Sequence, residues 1–107
     1  MKVMRIMQGD AFSLPVEITL GGQVVTPEDV ARIEVKIGGR IRKYYPDTGE
    51  YWGGYYLFPL TQEETLALPA EQRTPVCVRV KFTTGAVIGC RTKTMLEVLD
   101  GASGKEI

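Results

Sequence analysis

Apolar and polar residues alternate with a period of two through most of the chain. Phe12, Leu14, Val16, Ile18 and Leu20 fall on one side of an extended segment, with Ser13, Pro15, Glu17 and Thr19 on the other. Successive side chains of a strand point to opposite faces, so this run predicts a half-buried strand. Ile33, Val35 and Ile37 against Arg32, Glu34 and Lys36 repeat it, as do Val76, Val78, Val80 and Phe82 against Cys77, Arg79, Lys81 and Thr83. The last of these is expected at the centre of its sheet, and a shorter strand is expected over residues 3–7. Pro15 has no N–H to give to a ladder, which places the first run at a sheet edge or beside a bulge; an edge open to strand addition is preferred.

Glycine punctuates these runs. Gly21-Gly22 predicts a tight hairpin returning through residues 23–26, because adjacent glycines accept the positive φ that such turns demand. Gly38-Gly39 leads into a strand over residues 40–45, a tight loop at Pro46 precedes an aromatic strand over residues 51–60, and Gly53-Gly54 reads as a bulge within it. Thr83-Thr84-Gly85 predicts a three-residue hairpin pairing Phe82 with Ala86, Val80 with Ile88 and Val78 with Cys90. The final strand then runs from residue 86 to about residue 99 with a bend, Leu96 and Val98 inward.

Helical signals are short. Thr26-Pro27-Glu28-Asp29 opens like a helix, but the β-branched run that follows limits it to one turn. Thr61 and Glu64 have capping-box spacing, which predicts one or two turns before Pro69 and a polar loop over residues 69–75. The expected architecture is all-β: an immunoglobulin-like antiparallel β-sandwich of about seven strands with one or two short helical turns. It occupies residues 1–100, and residues 101–107 form a flexible tail.

Composition narrows the function. The 107 residues carry 44% apolar and 24% charged side chains, the balance of a single soluble domain. Thirteen basic and thirteen acidic residues cancel, leaving no long-range field to gather phosphate backbones or anionic lipid. Neither nucleic acid nor membrane is therefore an expected partner. Formal neutrality also weakens the repulsion that opposes self-association. The start lacks a secretory apolar stretch, which points to the cytosol. Cys77 and Cys90 fall on opposite strand faces and are expected as free thiols.

Catalytic handles are missing. Histidine is absent, so neither cysteine has an imidazole base, two thiols alone do not build a structural zinc site, and the acids are scattered. No enzymatic activity, metal or cofactor is expected. Seven of the nine aromatic residues crowd into residues 44–58. Most are expected to pack, with Tyr44, Tyr51, Trp52 and Tyr55 as a candidate protein interface and Arg40 and Arg42 beside it. A sugar-stacking platform is the alternative. Arg40, Arg42 and Lys43 next to rings also suit single-stranded nucleic acid, against which a solvated strand face is preferred.

Four segments carry a family likeness: Gln8-Gly9-Asp10-Ala11-Phe12-Ser13-Leu14-Pro15-Val16, residues 30–38, Phe58-Pro59-Leu60-Thr61-Gln62-Glu63-Glu64-Thr65-Leu66, and residues 78–88. In these the chain resembles the small immunoglobulin-like domains near the N-termini of phage and prophage upper baseplate proteins. The resemblance implies a virion structural part of a phage tail or baseplate, or of a prophage in a bacterial cytoplasm, that self-associates or joins other tail proteins. It implies either a free-standing adaptor or one subunit of a split attachment device. A carbohydrate-binding module is the second hypothesis, and a regulatory enzyme fragment without chemistry of its own the third.

Overall fold

The computed structural model describes residues 2–92 and 94–101. Twelve strand segments, one short α-helix and a single 3-10 turn at Pro27–Asp29 are found among them: β1 (Lys2–Met7), β2 (Phe12–Val16), β3 (Ile18–Leu20), β4 (Gln23–Val24), β5 (Val30–Ile37), β6 (Ile41–Tyr45), β7 (Glu50–Trp52), β8 (Tyr55–Leu60), α1 (Gln62–Leu66), β9 (Gln72–Thr74), β10 (Val76–Phe82), β11 (Val87–Thr92) and β12 (Thr94–Leu99). The protein is all-β and sandwich-like. One layer is a six-stranded sheet in the order β4-β3-β11-β10-β5-β6, facing a three-stranded sheet β2-β8-β7; a further sheet, β1-β12-β9, continues the structure.

The alternation predicts which residues lie inside. Leu14, Val16 and Ile18, then Ile33, Val35 and Ile37, then Val80, and finally Leu96 and Val98 are all fully buried in one apolar cluster. Phe58 and Tyr56 come from the facing layer, opposite Leu14 and Val16 in the β2–β8 ladder. β10 is central, between β5 and β11, and Val80 pairs with Ile88 and Val78 with Cys90 as expected. Gly85, at φ +93°, closes that hairpin. β2 is an edge strand, joined along its ladder to β8, with Pro15 opposite Leu57.

Several expectations are corrected. The long run at residues 12–20 is two strands, because the chain changes layer at Glu17: β2 pairs with β8 and β3 with β11. The final strand divides likewise, β11 staying in the large sheet while β12 pairs parallel with β1 along Lys2↔Thr94 to Met7↔Leu99. One ladder is thus parallel in a sandwich expected to be antiparallel. Gly53-Gly54, at φ +60° and +87°, is a hairpin turn between β7 and β8, not a bulge. Residues 72–74 of the expected polar loop form β9 against β12. The turn at Pro27–Asp29 forms without a side-chain cap from Thr26. Beyond Gly101 the expected tail lies outside the described residues.

α1 links the three-stranded layer to β9. Thr61 and Glu64 make the predicted capping box: the Glu64 amide donates to Thr61 Oγ1 at 3.2 Å and the Thr61 amide to Glu64 Oε1 at 2.9 Å. The other Glu64 oxygen meets Lys43 Nζ at 2.8 Å, tying α1 to β6. Partial burial pushes the Glu64 carboxyl up, but the Lys43 ammonium and the Thr61 hydrogen bonds outweigh it and hold it below its ordinary value of 4.5. A lowered folded-state value stabilises at pH above the unfolded value and is lost as pH falls through the folded one. Glu64→Gln is therefore expected to flatten the acid limb of the stability–pH curve, measured by urea melts from neutral pH into the acid range; an unchanged limb would refute the role of this pair.

Candidate interaction surfaces

The pleat divides the candidate residues among different surfaces. On β7 and β8, Tyr51 pairs with the fully buried Tyr56 and so points inward, while Trp52 and Tyr55 are cross-strand partners on the outer face. Tyr51 packs on Tyr56 with ring centroids 4.8 Å apart, and Tyr45 meets the same ring edge-on at 5.1 Å. These three rings belong to the core. The Tyr56 hydroxyl donates to Val25 O at 2.8 Å, and the Val25 amide donates to Ile18 O, so this one side chain links β8 to the β3–β4 hairpin of the opposite layer. Burial, then the neighbouring Tyr51, Tyr45 and Asp29, push the phenol well above its ordinary value.

Trp52 stands at the tip of the Gly53-Gly54 hairpin with 75% of its surface exposed. With Tyr55 and Leu57 it forms an aromatic and aliphatic outer face on the three-stranded layer. Glu50, opposite Leu57, gives that face its charge.

Tyr44 and Arg42 lie instead on the outside of the six-stranded sheet, and Arg40 sits in the exposed β5–β6 turn. The candidate set is therefore not one site. Tyr44 is already engaged: its hydroxyl donates to Glu34 Oε2 at 3.1 Å and Arg32 lies 4.3 Å from its ring centre. Arg32 also bonds Asp47 at 2.7 Å, although both are half exposed and such pairs add little stability.

Cross-strand register assembles a surface that no single segment reveals. Glu34 stands between Tyr44 and Arg79, Lys36 between Arg42 and Cys77, and Arg32 opposite Lys81, all facing outward. Arg79 faces Gly89, which has no side chain and leaves a notch. Two shallow depressions of about 300 Å³ each result, one lined by Arg32, Glu34, Tyr44, Arg79 and Lys81, the other by Glu34, Lys36, Arg42, Arg79 and Gly89. The outward phase of β5 and β10, and the Gly38-Gly39 hairpin that sets Arg42 beside β5, were readable from the sequence; that β10 lies on the other side of β5 was not.

Both cysteines are free, Cys77 exposed on this basic face and Cys90 half-buried against the core. Burial pushes the Cys90 thiol up. Because the thiolate is the reactive form, Cys77 is expected to take up a maleimide at least about tenfold faster near neutral pH. Mass-spectrometric time courses check this; equal rates would place Cys90 at the surface.

Among the described residues no group of three or more acidic or cysteine side chains is placed to hold a metal ion, and no helix is long and apolar enough to cross a membrane. Comparison with protein-family models, curated proteins and solved structures matches the chain to none of them.

Proposed function

We propose that the chain is a non-enzymatic structural or adaptor domain, an immunoglobulin-like sandwich that joins protein partners in a tailed-phage or prophage particle. The observation that carries the docking role is Trp52. The core makes no use of this ring, and solvating a large apolar side chain at a hairpin tip is unfavourable unless a partner covers it. The family reading rests on the resembling segments at residues 8–16, 30–38, 58–66 and 78–88.

The test is quantitative mass spectrometry of tail particles purified from cells that encode the chain. A fixed ratio to the tube subunit is expected; a chain confined to the soluble fraction would overturn the proposal. A carbohydrate-binding module is the second reading, favoured by the outward pairing of Trp52 with Tyr55. Quenching or shifting of the single tryptophan's emission by soluble glycans would move the assignment to it.

A further inference from the structure

The two outer faces of the sandwich differ in charge although the whole chain is formally neutral. The six-stranded sheet presents Arg32, Lys36, Arg42, Arg79 and Lys81 around Glu34, with Asp47 paired to Arg32 at its margin. The three-stranded layer presents Glu50 beside Trp52, Tyr55 and Leu57, with no basic residue on β2, β7 or β8. One face has depressions lined by guanidinium groups and Glu34 and notched at Gly89; the other has a projecting indole.

We infer that a second copy of this chain docks its Trp52 face on the basic face of the first, so that copies stack face to back. An indole over a guanidinium gains cation–π attraction, and the flanking Glu50 meets arginine and lysine of opposite sign. The contact is heterologous: the pair keeps one free face of each kind, and addition continues into a ring or a filament. A nucleic acid fits the basic face less well, because Glu34 lies in its middle and Arg32 already covers the Tyr44 ring. The inference deepens the assembly reading above by naming one partner.

Sedimentation velocity of the full chain over a range of concentrations tests it. At low salt the mean mass should rise with concentration, and added salt should lower it because the attraction between faces is screened. Arg79→Glu damages one face and Trp52→Ala the other; both positions are exposed, and circular dichroism verifies that each variant folds. Each variant alone should remain monomeric. Their equimolar mixture should form a capped dimer, since each brings the face the other lacks. A wild-type chain that stays monomeric throughout would overturn the stacking while leaving incorporation into particles with other proteins intact. Continued self-association of both variants would also overturn it. Salt-sensitive binding of an oligothymidylate by the wild type, lost in Arg79→Glu, would reassign the basic face to nucleic acid.

Discussion

Tyr56→Ala is expected to destabilise the domain by about 3–5 kcal/mol, the range for truncating a buried aromatic ring. That is a large share of the roughly 5–15 kcal/mol that holds a typical domain folded. The ring is fully buried, touches Tyr45 and Tyr51, and its hydroxyl reaches across to Val25 O. Its loss opens a cavity between the layers and leaves a carbonyl at Val25 without that donor. Tyr56→Phe separates the two contributions: it keeps the ring and removes the hydrogen bond, at about 1–2 kcal/mol. Urea denaturation of the three proteins measures both steps.

The same residue sets the alkaline limit. Its phenol titrates well above 10.0 in the folded chain and near that value once unfolded. A raised folded-state value means that stability is full below the unfolded value and declines as pH rises above it. The wild type should therefore lose stability above about pH 10 more steeply than Tyr56→Phe. Parallel curves would contradict the buried, protonated phenol.

Thr65→Val is expected to cost about 2–3 kcal/mol although shape and volume hardly change. Thr65 is fully buried, and its hydroxyl accepts from the Gly9 amide at 3.0 Å and donates to Asp10 O at 2.8 Å. Valine leaves both backbone groups without that partner. The turn between β1 and β2 is held by two further bonds, from Gln62 Nε2 of α1 to Gly9 O and from Gln8 Nε2 to Leu68 O just beyond α1, so the loss should stay local. Hydrogen exchange should accelerate at Gly9 and Asp10 while β5 and β10 keep their protection. Thr65→Ser, which retains the hydroxyl, should restore most of the stability. A valine variant as stable as the wild type would show that the hydroxyl is dispensable.

What the sequence revealed and what it concealed follow from one geometric fact. Alternation reports the face a side chain takes, and that parity survives a change of hydrogen-bonding partner. Leu14, Val16 and Ile18 were therefore legible as core, yet nothing in their spacing marks Glu17 as the place where the strand leaves β8 for β11. The β11–β12 division was hidden for the same reason, and with it the parallel ladder to β1, which joins residues about 92 positions apart. Local signals fared better. The Gly85 hairpin and the Thr61–Glu64 capping box are each decided within a few residues.

The candidate surface followed the same rule. Aromatic crowding singled out residues 44–58, but sequence proximity grouped Tyr44, Tyr51 and Trp52, which the pleat sends to three different environments. Arg79 and Lys81 join Arg42 only through the β5–β10 and β5–β6 registers.

Hydroxyl-radical footprinting of the free chain and of the same chain in the tail particles proposed to contain it tests most directly whether outward side chains dock while inward ones hold the layers. Trp52 should oxidise rapidly in the free protein and become protected in the particle, with Tyr56 and Phe58 slow in both. Trp52 equally reactive in both states would contradict the account.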